Sequence, residues 1–298
     1  MTLSDCQGCG VTQGPASKSG VKFEDLNGNG IKEGGEPLLP DWTINLYEDN
    51  QPQNGDLDAA EFAGGADQTD TTDAVGFYEF PSLPPGSYIV CEELKTGWVQ
   101  TFPSGAPAEC DGHAGLAPEG YAITLVADEH DTGNDFGNFE LGTKSGIKYE
   151  DVDGDGDLAD GVPLPDWTIN LYNDDGTTAG SFDAGDTLNT SDTTDATGKY
   201  EFTGLGAGVY HVVEVCEAGW IQTVPTPTSA TEADCGTGIY TITVTSGFAE
   251  DNNDFETTSP GARQLLRPLC TSSPATPWLL WAPRWRSTVC CTTWPQSQ

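Results

Sequence analysis

Positive charge is scarce in this sequence: 11 Lys and Arg stand against 47 Asp and Glu in 298 residues, a net charge of −36. A chain so acidic repels phosphate backbones and anionic bilayers, which excludes nucleic acid and charged membrane surfaces as partners. Long apolar runs are missing too. The best candidate, Trp278 to Ala282, falls far short of the roughly 20 residues that cross a bilayer, so no membrane span is expected. Residues 1 to 20 lack the basic start and apolar stretch of an export signal. Histidine occurs only as His113, His130 and His211. None belongs to a nucleophile motif and no catalytic constellation emerges, so the chain is not read as an enzyme.

Turn formers, by contrast, abound: 37 Gly and 20 Pro accompany 36% hydrophobic residues, a composition that favours many short strands joined by turns. The chain also repeats itself. Ser19 to Asp25 recurs as Ser145 to Asp151, and Pro40 to Tyr47 recurs letter for letter as Pro165 to Tyr172. Asp70-Thr71-Thr72-Asp73-Ala74, then Gly76, Tyr78 and Phe80, match Asp192 to Ala196, then Gly198, Tyr200 and Phe202. Gly97-Trp98 matches Gly219-Trp220, and Asn134-Asp135-Phe136 matches Asn253-Asp254-Phe255. A fixed period of this kind marks a modular array. Domain one is placed at residues 19–141 and domain two at 145–256, joined by a very short linker around Gly142 to Lys144. Residues 1–18 read as an unstructured leader. Residues 257–298 contain no Asp or Glu, four Arg, four Trp and three Cys, and read as an atypical, disordered tail.

Within each unit apolar and polar residues alternate: Trp42, Ile44 and Leu46; Tyr78 and Phe80; Tyr88 and Val90; Tyr121, Ile123 and Leu125. That is the period of half-buried strands, with no helical stripe. The expected fold is all-β, two tandem antiparallel β-sandwiches of about seven strands each.

The first strand of each unit runs into an oxygen-rich loop. Asp25, Asn27 and Asn29 fall at positions 1, 3 and 5, Gly30 at 6 and Glu36 at 12, the spacing with which a twelve-residue loop wraps Ca2+. Asp151, Asp153, Asp155 and Gly156 take the same places in the second unit, but position 12 is Val162. Asp160 is expected to replace the missing carboxylate there, in a weaker or rearranged site. Counting back from Glu61 gives a second loop with Asn50 at 1, Asn54 at 5, Gly55 at 6 and Asp58 at 9, spoiled by Pro52 at 3. Counting back from Asp186 gives Asp175 at 1, Thr177 at 3, Gly180 at 6 and Asp183 at 9. Asp73 and Asp195 could complete the shells. The flanks are strands, so these are EF-hand-like loops on a β scaffold; the alternative is acidic surface turns without metal.

The pattern Gly-x-x-Phe-x-Asp-x-Asn-x-Asn-Gly, then Glu36, Thr-x-Asp-Ala-x-Gly-x-Tyr-x-Phe, Leu-x-x-Gly-x-Tyr, Gly-Trp-x-Gln-Thr and Asn-Asp-Phe-Gly-Asn resembles the SdrD B-like domains of bacterial surface proteins, within the Cna B-type, transthyretin-like group. The resemblance covers residues 19 to about 256. It implies calcium-binding repeats that form rigid stalks on a secreted or cell-surface protein, possible parts of an adhesin, with neighbouring domains of that protein as partners and an extracellular protein or glycan as ligand. The chain is expected to be monomeric. The competing reading is a carbohydrate- or protein-binding sandwich that uses exposed Trp98 and Trp220.

Cys91 and Cys110 lie 19 apart, as do Cys216 and Cys235. A disulfide within each unit suits an oxidising, extracellular setting, the alternative being free thiols. Cys6-x-x-Cys9 is a weak zinc signal without a second pair. Related sandwich domains close a Lys to Asn isopeptide bond beside a buried Glu, for which Lys22, Glu92 and Asn134, or Lys148, Glu214 and Asn253, would be the candidates. Alternation, however, puts Val21 and Phe23 inward and Lys22 outward, the wrong side for that chemistry.

Overall fold

The structure is a computed structural model that describes residues 14–50, 53–105, 108–110, 112–226 and 238–259. The first unit contains β1 (Ala16–Glu24), β2 (Thr43–Glu48), the short helix α1 (Ala59–Gly64), β3 (Gln68–Thr71), β4 (Phe77–Leu83), β5 (Gly86–Glu92), β6 (Trp98–Phe102), β7 (Ala108–Glu109), β8 (Glu119–Leu125), β9 (His130–Asp131) and β10 (Phe136–Glu140). One sheet has the order β4-β1-β10-β6 and the other β3-β2-β5-β8-β7. The second unit contains β11 (Gly142–Glu150), β12 (Val162–Pro163), β13 (Thr168–Asn173), β14 (Thr187–Thr193), β15 (Lys199–Leu205), β16 (Gly208–Glu214), β17 (Ile221–Val224), β18 (Tyr240–Val244), β19 (Ala249–Glu250) and β20 (Phe255–Thr258). Its sheets repeat the plan as β15-β11-β20-β17 and β14-β13-β16-β18. The all-β fold is as expected. Pairing is antiparallel except along the first strand of each unit, which lies parallel to the last strand and to the short strand before it: β1 on β10 and β9, β11 on β20 and β19.

The repeated letters build matching cores. Trp42, Ile44, Leu46, Tyr78, Phe80, Val90 and Phe136 are buried in the first, and Trp167, Ile169, Leu171, Tyr200, Phe202, Val212 and Phe255 in the second. The Asp-x-x-Gly turn before β4 explains another shared motif. Asp73 Oδ1 accepts from the Val75 and Phe77 amides. Gly76 has φ +67, and a Cβ there would stand 2.6 Å from the Lys22 carbonyl oxygen, so only glycine fits. Asp195 caps the matching turn through Thr197 and Lys199. These two carboxylates therefore serve their own turns.

Three boundaries differ from the expectation. β1 begins at Ala16, inside the expected leader, and β20 carries the fold to Thr258, past the expected end of the second unit. Gly142 to Lys144 are the opening of β11 and pair with Leu205, Thr203 and Phe202. Only Leu141 separates β10 from β11, and Phe139 of β10 is buried in the second core. Residues 260–298, with most of the atypical tail, and Cys6 and Cys9 lie outside the described residues.

Cys91 and Cys110 form a disulfide on the outer face of the β3-β2-β5-β8-β7 sheet, where they join Tyr47, Leu57 and Ile89 in a separate apolar cluster. Cys216 is disulfide-bonded; Cys235, its expected partner, lies outside the described residues. Replacing Cys91 and Cys110 together with serine is expected to destabilise the first unit by about 3 kcal/mol on the loop-entropy scale. Denaturant melts of the variant and the parent measure this directly.

Candidate functional site

The loop after β1 closes on Asp25, which has no exposed surface. Its carboxylate accepts from the Asn29 amide at 3.2 Å and the Gly30 amide at 2.7 Å. Asn27 Oδ1 accepts from the Asn29 amide and Asn29 Oδ1 from the Ile31 amide. Glu36 reaches back so that Oε1 takes the Leu26 amide and Oε2 the Glu33 amide. The four residues read from the sequence thus share one small loop with an all-oxygen donor set, the chemistry a hard cation such as Ca2+ takes.

In the second unit Asp151, Asp153, Asp155 and Asp160 bring carboxylate oxygens within 4.8 Å of one another. Val162 sits in β12 and pairs with Glu150, so position 12 of the loop belongs to a strand. The sequence reading missed Glu256. Its side chain is buried, and neither oxygen has a hydrogen-bond partner among the described residues. Burial, then the charges of Asp151 and Asp160, push it up to about 7. A Cβ on Gly161 would lie 2.7 Å from its Oε1, so the loop passes bare backbone over this carboxylate. Comparing the units shows the exchange: where the first has Glu36 and Gly137, the second has Val162 and Glu256. The carboxylate has moved from the loop to the last strand. Crowded carboxylates of this kind repel one another, and a divalent cation would remove that repulsion.

The two second loops are less concentrated. Asp58 caps α1 and Glu61 answers it in a capping box, while Glu61 Oε1 also takes the Asn50 amide and Asn54 takes the Asp56 amide. Both Asp175 oxygens bind Thr187, and Asp183 binds Thr177, Thr178 and Gly185. Asp186 accepts from the Gly176 and Asp183 amides.

The largest departure from the sequence reading concerns lysine. Lys22 points inward and has no exposed surface. Its Nζ lies 2.8 Å from Glu92 Oε2, 4.5 Å from the centre of the Trp42 ring, and donates to Asn138 Oδ1. Glu92 and Asn138 are also fully buried. Alternation identifies two faces of a strand, but not which one meets the core; here Ala16, Lys18, Gly20 and Lys22 face in. Asn134, the expected amide, instead receives the Tyr78 hydroxyl on its backbone carbonyl. Burial pushes Lys22 down to about 8 against the pull of Glu92, and burial pushes Glu92 up against the pull of Lys22. Burial thus disfavours the charged form of both partners; with the proton moved from Lys22 to Glu92, the amine nitrogen would be placed to attack Asn138 Cγ while the acid assists departure of the amide nitrogen.

Comparison with known proteins agrees with this architecture. Residues 20–138 match the family described as SdrD B-like domain. The first unit is thus similar to an SdrD B-like domain. Residues 150–226 match the prealbumin-like fold domain family of SpaA. Among curated proteins, the serine-aspartate repeat-containing protein E of Staphylococcus aureus (strain MSSA476) is 29% identical over 239 residues, 78% of this chain and 18% of its own length. The bone sialoprotein-binding protein of S. aureus (strain MRSA252) matches with the same identity and coverage. The chain thus spans less than a fifth of these relatives. Similar solved structures include GBS52, the minor pilin of Streptococcus agalactiae, with TM-score 0.34 and 17% identity over 88% of this chain and 99% of that one. The shaft pilin SpaA from Lactobacillus rhamnosus GG has TM-score 0.31 and 14% identity over 82% and 98%. TM-scores this low support no conclusion about function.

The second unit keeps the lysine, glutamate and tryptophan that the first buries, but not the asparagine. Lys148 Nζ lies 2.8 Å from Glu214 Oε2 and 4.9 Å from the Trp167 ring centre. The register place of Asn138, however, holds Thr257, which has no carboxamide. Asn253, like Asn134, offers its backbone carbonyl to a tyrosine, Tyr200. On the metal side, Glu256→Gln is expected to weaken calcium binding by the Asp151 loop and leave the Asp25 loop unchanged. Calorimetric titration of the variant would show one weakened site; two unchanged sites would remove Glu256 from the set.

Proposed function

We propose that the chain is a rigid spacer segment of a cell-surface stalk, one domain ending at Leu141 and the next starting at Gly142, stiffened by Ca2+ in the loops after β1 and β11. One observation carries the reading: the acidic loop after β1 is also the joint between the units. The Leu26 carbonyl accepts from the Ser246 amide at 3.0 Å, and a Cβ on Gly28 would lie 2.5 Å from Ala207 Cβ. Beside it, the Glu140 amide donates to Ser246 Oγ and the Gly247 amide to the Glu140 carbonyl. Ordering the Asp25 loop therefore orders the surface on which the second unit rests. Asp25, Asn27, Asn29 and Glu36 would hold one ion, and Asp151, Asp153, Asp155, Asp160 and Glu256 another. An ion bound only by the folded form adds about 2.7 kcal/mol at one hundred times its dissociation constant.

The same reading gives the buried triad a mechanical task. Tension applied at the two ends of the first unit enters through β1 and leaves through β10, which are parallel neighbours. An amide between Lys22 Nζ and Asn138 Cγ would join those strands covalently. The Lys22 amine in its neutral form loses one proton, the Asn138 Cγ–N bond breaks, and that proton leaves with the amide nitrogen as one ammonia per bond formed, with Glu92 returned unchanged. The second unit, with Thr257 in place of the amide donor, holds β11 to β20 by hydrogen bonds alone. The location is the cell surface, and the partners are the neighbouring domains of a longer protein. No helix among the described residues is long and apolar enough to cross a membrane. The competing aromatic-ligand reading finds Trp98 and Trp220 half-buried and packed edge-on against Trp42 and Trp167 at 5.3 and 5.4 Å.

Thermal melts in excess EGTA and in millimolar calcium, with magnesium as control, test the stiffening. Calcium is expected to raise the melting temperature, and Asp25→Ala with Glu36→Ala to remove much of that gain while changing the EGTA melt little; equal losses in both buffers would sink the mechanism. After reduction of the disulfides, intact mass is expected to fall short of the sequence by one ammonia, and Glu92→Gln to match its own sequence mass. A parent mass with no ammonia missing would dismiss the cross-link.

A further inference from the structure

Beyond the calcium loops, the outer face of the β14-β13-β16-β18 sheet holds a polar cluster that the first unit lacks. His211 on β16 has no exposed surface. Its Nε2 lies 3.6 Å from Asp174 Oδ1 and 3.8 Å from Asp186 Oδ2. The Asp174 and Asp186 side chains are 4% and 0% exposed. Neither His211 Nε2 nor Asp174 Oδ1 has a hydrogen-bond partner among the described residues. Asp174 Oδ2 takes the Gly180 amide and Asp186 Oδ1 the Gly176 amide, while Asp186 Oδ2, which faces His211, also accepts from the Asp183 amide. His211 Nδ1 is 2.9 Å from Thr241 Oγ1, and the Phe182 ring stands edge-on to the imidazole at 5.6 Å.

We propose that His211, Asp174 and Asp186 form a binding site for a first-row divalent cation of the zinc type, separate from the calcium loops. In the tautomer that donates Nδ1–H to Thr241, the Nε2 lone pair would face the two carboxylates, the second-shell arrangement that fixes a ligating imidazole. Donor atoms on a tetrahedron of zinc bonds stand roughly 3.4 Å apart, close to the spacings here. Two carboxylates supply the negative charge that a divalent ion cancels, and the imidazole supplies a nitrogen donor. An imidazole nitrogen with few oxygens suits zinc, whereas Ca2+ takes six to eight oxygens. The spacing argument from the sequence pointed to Asp175 and Asp183 for calcium in this loop; their oxygens are turned to threonine and backbone groups, and Asp174 and His211 stand in the cluster instead.

The first unit supplies the control. Ile89 pairs with Tyr47 as His211 pairs with Tyr172, and it packs in an apolar cluster. His211→Ile therefore installs a residue that this sheet position already accepts. The full chain, with thiols alkylated, metal stripped and Ca2+ then held in excess, is titrated with Zn2+ by calorimetry, and with Co2+ by visible absorption. The parent is expected to bind Zn2+ at least about tenfold more tightly than His211→Ile, since even second-shell losses cost that much, and to give the intense Co2+ bands of a four-coordinate site. Asp174→Asn, nearly equal in volume, is expected to weaken Zn2+ binding similarly and serves if His211→Ile does not fold. Equal Zn2+ affinity in parent and variants, no Zn2+ binding by the parent, or occupancy of the site by Ca2+ in place of Zn2+ would overturn the proposal.

Discussion

Burying a lysine between two sheets governs much of this molecule. An ammonium group removed from water costs several kcal/mol unless a carboxylate and further polar groups meet it. Lys22 and Lys148 each find a glutamate at 2.8 Å and a tryptophan face beneath. That requirement ties the first strand of each unit to the facing sheet, because Glu92 lies on β5 and Glu214 on β16. It also sets which face of β1 and β11 looks inward, and so places the glycines and aromatics beside them. The repeated Lys, Glu and Trp are one electrostatic unit, used twice.

The acidic loops start where these strands end. Asp25 and Asp151 follow Lys22 and Lys148 by the same three residues, and both are fully buried. The loop conformations are therefore held at one end by the paired lysine and at the other by amides that each aspartate collects. In the first unit this loop is pressed against the second unit through Leu26 and Gly28, so that the acidic loop, strand position and the relation between units meet within a few residues. With the units joined through Leu141 alone, little slack is available between them.

The two units diverge where they act. Glu36 and Gly137 in one are answered by Val162 and Glu256 in the other, a carboxylate shifted in sequence but kept near the loop. Asn138 is answered by Thr257, which leaves the second ion pair without an amide to attack. Ile89 is answered by His211, turning an apolar outer face into a charged one. Each exchange changes one chemical capacity and leaves the sandwich intact, because the core positions beneath are nearly unchanged.

The repeat, the strand-rich composition, the Asp25 loop and the Cys91 to Cys110 pairing were legible in the sequence because each rests on local spacing. Asp160 was legible for the same reason, lying within the loop it serves. Glu256, Asn138 and His211 were not. They reach their partners from strands distant in sequence, and alternation, which names two faces without naming the inner one, put Lys22 on the wrong side. Local periodicity determined the modules and their acidic loops. Which buried charges meet, and which carboxylate completes which cluster, was decided only when the parallel pairing of first and last strands brought them together.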